Sequence, residues 1–282
     1  MKFAVKYISF AAALVAASAA SATPFAGGWE LASGTGGLTF SSDALSALSA
    51  SGSSILTAPV IPTVPGLPGA GATNTAVYTK ATGNVSLAFN TATITGDTLT
   101  SLQAANSLVN IRRSVFNDDG SISQYNIYMA NFDVNLGSST IFASLYSRTA
   151  AGTLISYGKQ AIFTADVPGV IGGTGGIIQV TSYTTGGGVT NAEASGSLAG
   201  ALRMNGTTAT NILTALNLST AANDPVAILV RTANWGTTQA AGVFKVPCLG
   251  CVPPFPEPST YAMFGMGLLG LGVVARRRGK AA

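Results

Sequence analysis

Ile122-Ser123-Gln124-Tyr125-Asn126-Ile127-Tyr128-Met129-Ala130-Asn131-Phe132-Asp133-Val134-Asn135-Leu136 carries the clearest period of two in the chain. Tyr128, Phe132, Val134 and Leu136 fall on even positions, and Asn131, Asp133 and Asn135 fall between them. Successive side chains of a strand point to opposite faces, so the pattern predicts a strand with one buried and one wetted face. Asn117-Asp118-Asp119-Gly120 before it and Ala150-Ala151-Gly152 beyond it have the chemistry of hairpin connections. The same texture of Val, Ile, Thr, Tyr and Phe runs between Gly and Asn turn signals from about Ala76 to Lys245. Candidate strands are Ala76–Lys80, Val85–Phe89, Leu108–Val115, Ile122–Leu136, Thr140–Tyr146, Leu154–Tyr157, Ala161–Ala165, Ile177–Thr184, Ser197–Met204 and Val226–Thr232. Ten short strands at this spacing predict a mostly β body, an antiparallel sandwich or barrel-like fold. Thr210 to Leu218 is the exception: Ile212, Leu213 and Leu216 form a helical stripe that Thr210 can cap.

Residues 23–75 read differently. They are rich in Gly, Ser and Ala, with Pro59, Pro62, Pro65 and Pro68 three apart. That spacing favours an extended polyproline-like path, and sparse aromatics leave little surface to bury. We expect a partly ordered segment containing a linker or long loop over 59–71. A short helix over Ser42–Ala50, with Leu45 and Leu48 three apart and Ser42 as cap, is its one regular element. The β-rich extracellular domain then spans 76–245, and 246–253 is a Cys-x-x-Cys linker.

Both ends of the chain look like addresses. Lys2 and Lys6 precede an apolar stretch centred on Ile8 to Ala17, and Ala20-Ser21-Ala22 places small residues where a signal peptidase reads them. Residues 1–22 therefore read as a secretory signal helix, cleaved after Ala22. At the other end Pro256-Glu257-Pro258 is followed by the apolar run Tyr261 to Ala275 and then by Arg276, Arg277, Arg278 and Lys280. A helix over about 259–275 reaches about 26 Å at 1.5 Å per residue, a marginal span for a hydrocarbon core of about 30 Å. The basic end at 276–280 holds that side in the cytoplasm, which leaves the body outside. The expected architecture is a β body flanked by a signal helix and a single C-terminal transmembrane helix.

Tripeptide, apolar span and basic tail in this order resemble the PEP-CTERM sorting domain of exported proteins in Gram-negative bacteria that make exopolysaccharide. The resemblance covers only about 254–282. It implies recognition by an exosortase, a membrane-embedded cysteine protease or transpeptidase, after Sec and signal peptidase have acted. Pro256, Glu257 and Pro258 would then be substrate residues, and Arg276, Arg277 and Arg278 the stop-transfer end. The implied course is a transient membrane anchor, then the cell surface or the extracellular space. The implied role is a structural or polysaccharide-associated protein of an exopolysaccharide or biofilm matrix.

Composition narrows the chemistry. The 282 residues include no histidine, which excludes Ser-His-Asp and Cys-His nucleophile pairs and imidazole metal ligands. The formal charge of +4 belongs to the ends: six of the 14 basic residues lie in the two addresses, so eight remain against ten acidic residues, a net −2. Nucleic acid is not an expected partner. The acids Glu30, Asp43, Asp97, Asp118, Asp119, Asp133, Asp166, Glu193 and Asp224 are scattered, and we expect no catalytic residues, no metal site and no cofactor. The alternative is a secreted glycan-active enzyme with two carboxylates meeting across a sugar. Asn117 to Ser121 lacks the spaced ligands of a calcium loop and reads as a turn. Gly172 to Gly176 and Gly186 to Gly188 lack the Lys-Ser/Thr of a phosphate cradle and read as flexible connections. Gly265-Met266-Gly267-Leu268-Leu269-Gly270 matches a dinucleotide fingerprint but has no preceding strand, and is set aside. Trp29, Trp235 and the tyrosines should mostly fill the core, with a sugar-stacking platform as the other use. Cys248 and Cys251 are expected to close a small disulfide loop in an oxidising compartment.

Overall fold

The computed structural model describes residues 28–59, 61–63, 66–68, 76–95, 98–167, 179–186 and 188–247. Within them lie thirteen strands and three helices. The strands are β1 (Glu30–Thr39), β2 (Ser53–Ile55), β3 (Ala76–Thr79), β4 (Asn84–Phe89), β5 (Thr91–Thr95), β6 (Thr98–Phe116), β7 (Ile122–Asn135), β8 (Thr140–Arg148), β9 (Leu154–Val167), β10 (Gln179–Gly186), β11 (Val189–Gly196), β12 (Ala199–Met204) and β13 (Thr237–Pro247). The helices are α1 (Ser42–Ala50), α2 (Gly206–Ala215) and α3 (Pro225–Thr232).

The strands form two antiparallel sheets around one core. The first has the order β10-β11-β13-β1-β4-β3. The second has the order β12-β9-β8-β7-β6-β2, with β5 also paired to β6. Leu38, Val85 and Phe89 from the first sheet meet Leu102, Val109, Met129, Phe132 and Phe163 from the second in a shared apolar cluster. The fold is mostly β, as the alternation of residues 122–136 and the recurring turns predict.

Three expectations change. Residues 30–55 are not a partly ordered prelude: β1 lies in the middle of the first sheet, between β13 and β4. Its glycines misled, because they are packing residues. A Cβ on Gly36 would run into the Phe89 ring, and one on Gly37 into the Val85 carbonyl. Residues 61–63 and 66–68 carry no helix or strand, in keeping with the expected linker or long loop, but they are packed on the body. Leu67 is buried against Leu108, Tyr128, Ala130 and Tyr146, and Asn131 Nδ2 donates to the Gly66 carbonyl at 3.0 Å.

The second change is at Val226–Thr232, which is helix α3 and not a strand. Asp224 caps it, accepting from the N–H groups of Val226 and Ala227 at 2.9 Å each, and Pro225 occupies the first turn. Cap and proline together set the start of a helix more strongly than β-branched side chains oppose it. The two helices that were expected are present with shifted caps: Ser41 caps α1 and Asn205 caps α2, which starts at Gly206 instead of Thr210.

The third change concerns faces. β6 and β7 each contain a bulge, at Asn106 (φ 60°) and Asn131 (φ 54°), and the register shifts there. One extra residue moves every following side chain to the other face. Ile127 and Met129 therefore share the main core with Phe132, while Tyr128 joins the second cluster on the opposite face. Tyr128 and Phe132 have the same parity but not the same surroundings.

Candidate functional site

The first and last strands of the body are neighbours. Glu30 opens β1 and stands opposite Lys245 near the end of β13, with Oε2 and Nζ at 4.0 Å. Both partners are largely exposed, so the pair adds little stability. Its importance is positional: the start of β1 and the end of β13 stand at the same end of the first sheet. Val189 at the start of β11 pairs with Pro247 and completes that end.

On the same sheet a groove of about 290 Å³ crosses β11, β13 and β1. Ala194, Gly242 and Gly34 lie in one register row across it, so its floor carries almost no side chain. Exposed Ser33, Thr35, Ser195 and Glu193 flank that row. Ser182 Oγ on β10 donates to Glu193 Oε2 at 3.0 Å. The groove thus offers hydroxyls that donate and accept, one carboxylate that accepts, and no cation among its lining residues.

Several of the described carboxylates have structural partners. Asp133 pairs with Lys159, and Asp166 with Arg203. Asp224 caps α3, and Asp43 lies in the first turn of α1. Asp119 accepts from the Ser121 hydroxyl at 2.6 Å and the Ser121 N–H at 2.9 Å, bonds that hold its carboxyl below the usual carboxylate range. This is the turn that Asn117 to Ser121 promised. Among the described residues no group of three or more His, Cys, Asp or Glu could hold a metal ion. Gly186 ends β10 and Gly188, at φ 78°, turns the chain into β11, a hairpin connection.

Aromatic side chains mainly fill the core. Trp235 is buried against Phe163 with ring centroids at 5.5 Å, and its indole N–H donates to the Val230 carbonyl at 3.1 Å. Trp29, Tyr78, Tyr125 and Tyr157 pack half-buried against the same cluster. Tyr128 and Tyr146 lie under Leu67.

Ala20, Ala22, Cys248, Cys251, Pro256, Glu257, Pro258, Arg276, Arg277 and Arg278 lie outside the described residues, as do the expected signal helix and the span 259–275. Among the described residues no helix is long and apolar enough to cross a membrane.

The crystal structure of the C-terminal domain of HtaA from Corynebacterium glutamicum is similar over 77% of this chain and 99% of that one, at 10% identity and a TM-score of 0.37. At that score the likeness supports no conclusion about this chain. No curated protein matches the sequence. Residues 256–278 match the family model of the PEP-CTERM protein-sorting motif. The chain therefore carries, at the end towards which β13 leads, a PEP-CTERM protein-sorting motif.

Proposed function

We propose that this is an exosortase-sorted protein whose β body works outside the cytoplasm, at the cell surface or in an extracellular polysaccharide matrix, as a structural or glycan-associated component. The observation that carries the reading is the sorting motif at residues 256–278. The fold suits it, because β1 starts and β13 ends at one end of the first sheet, leaving the rest of both sheets free to face outward. The groove across β11, β13 and β1 suits a weakly charged, hydroxyl-rich partner, since its serine and threonine hydroxyls can exchange hydrogen bonds with sugar hydroxyls without a charge to desolvate. The body has no catalytic role in this reading, and its carboxylates serve ion pairs, a cap and turns.

The test is a strain lacking this protein alone, scored for cohesion of its biofilm or flocs, together with binding of the purified protein to that strain's own polysaccharide. Weakened cohesion and saturable binding are expected. Normal cohesion with no binding contradicts the matrix role. Shortening of the polysaccharide by the purified protein would favour the glycan-active enzyme instead.

A further inference from the structure

The outer face of the second sheet carries a row of hydrogen-bond donors. Arg112 on β6, Asn126 on β7 and Arg148 on β8 are direct register partners on three adjacent strands. Partners in register share a face, so the two arginines flank Asn126, their Cα atoms about 10 Å apart at two strand spacings. The next row on this face, towards the middle of the sheet, holds Asn110, Tyr128 and Tyr146.

A buried neighbour orients Asn126. Asn110 is 1% exposed and donates from Nδ2 to the Ile127 carbonyl at 2.9 Å and to Asn126 Oδ1 at 3.4 Å. The acceptor of Asn126 is thereby engaged, and its Nδ2 donor lies on the side away from Asn110.

The two positive charges lack a carboxylate. Among the described residues no ion pair involves Arg112 or Arg148. Beside Arg148 stands Tyr128, a phenol that burial keeps neutral. The segment that covers this sheet cannot supply an anion: Leu67 packs on Tyr128 and Tyr146, and no Asp or Glu occurs between Asp43 and Asp97. Three donors, two of them cationic, with no acceptor of their own complement an oxyanion from outside. A carboxylate matches their number, because each of its oxygens can take one guanidinium and either can take the Asn126 amide. Exposed Ser54, Ser114 and Gln124 border the row on the same face and can exchange hydrogen bonds with hydroxyls next to that carboxylate.

We propose that Arg112, Asn126 and Arg148 form a binding site for the carboxylate of an acidic sugar unit. The sugar rests on the matrix reading above, whereas the carboxylate rests on the row alone. The site is on the other sheet from the groove and takes a charged partner where the groove takes a neutral one.

The test is calorimetric titration of the purified full chain with a galacturonate trimer, compared with the neutral galactose trimer, acetate and inorganic phosphate. The galacturonate trimer should bind saturably, at least tenfold tighter than the other three, and less tightly as salt rises. Arg112→Gln and Arg148→Gln should each weaken it at least tenfold. Asn126→Asp decides the matter if those variants fail to fold. It keeps an acceptor towards Asn110, sets a carboxylate between the two arginines, and should abolish galacturonate binding while holding or raising the unfolding temperature. A galacturonate trimer that does not bind, that binds no tighter than the three comparison ligands, or that binds the Asn126→Asp chain unchanged would overturn the proposal. The matrix role fails separately, through normal cohesion of the deletion strain.

Discussion

The backbone N–H of Asn106 donates to Oδ1 of Asn131 at 3.0 Å, joining two left-handed residues on adjacent strands. The same bulge is closed from the other side by Ser107, whose hydroxyl donates to the Ala104 carbonyl and accepts from the Phe132 N–H at 2.9 Å. Asn131 then passes a second bond, from Nδ2, to the Gly66 carbonyl. One side chain thus fixes the bulge that switches faces and tethers the segment covering the second cluster. Asparagine suits both tasks, since it tolerates positive φ and carries a donor and an acceptor. Asn131→Ala should cost about 2–3 kcal/mol in urea unfolding, combining left-handed strain with two lost bonds. Asn131→Gly keeps the dihedral and should cost clearly less. Equal losses would mean that the backbone conformation is not what Asn131 secures.

Arg113 on β6 ties together the ends of two helices. Its Nε donates to the Ser51 carbonyl at 3.1 Å after α1, and its Nη1 to the Leu216 and Asn217 carbonyls at 2.9 Å each after α2. A cation at a helix C-terminus is favourable, and here one planar group serves two. Arg113→Ala should lower stability by about 1.5–3 kcal/mol, and Arg113→Lys should restore less than half. Amide exchange should quicken in the last turns of both α1 and α2. Quickening in only one helix would break the account of a shared clamp.

Gly236 sits at φ 131°, between the buried Trp235 and β13, where an added Cβ would strike the Thr39 carbonyl. The obstacle is backbone and cannot rotate away. Gly236→Ala is expected to abolish soluble expression. Gly120→Ala, at φ 79° in an open turn, should cost only about 1 kcal/mol. Comparable yields of the two variants would contradict this.

These sites show why part of the fold was legible in the sequence and part was not. The strands around Val85, Tyr128, Ile141 and Phe163 announce themselves by β-branched and aromatic residues between turns. β1 does not, because Gly34, Gly36 and Gly37 look like a linker until Phe89 and Val85 are seen pressing on them. β13, with Ala240, Ala241 and Gly242, is hidden for the same reason. The α3 signal was present in Asp224-Pro225, but Val226, Ile228 and Val230 outweighed it in a reading by side-chain type. The bulge at Asn131 has no local mark beyond the asparagine itself, so parity alone puts Tyr128 on the face of Phe132. The groove was not legible either, since Ser33, Glu193 and Val243 come together only through the pairing of β1 and β11 with β13. The sorting motif, by contrast, needs no tertiary context.

Tyr128 is 2% exposed, and burial pushes its phenol above the ordinary tyrosine range, with Arg148 acting weakly the other way. A raised value in the folded chain means that the neutral phenol is favoured by folding. Its contribution is fully present below about pH 10, the ordinary tyrosine value, and is lost as pH rises through the folded value. Urea unfolding between pH 8 and pH 11.5 should therefore show a falling stability above pH 10, and Tyr128→Phe should flatten part of that slope. An unchanged slope would show that the phenol is not sealed from solvent.

The most direct measurement of the central claim is the fate of the chain when Pro256, Glu257 and Pro258 are all replaced by alanine. Cells are fractionated into cytoplasm, inner membrane, surface and medium, and the C-terminus of each pool is read by mass spectrometry. The account predicts that the natural chain reaches the surface or medium without its basic tail, whereas the variant accumulates in the inner membrane with Arg276, Arg277 and Arg278 still attached. A variant that is processed and delivered like the natural chain would contradict it.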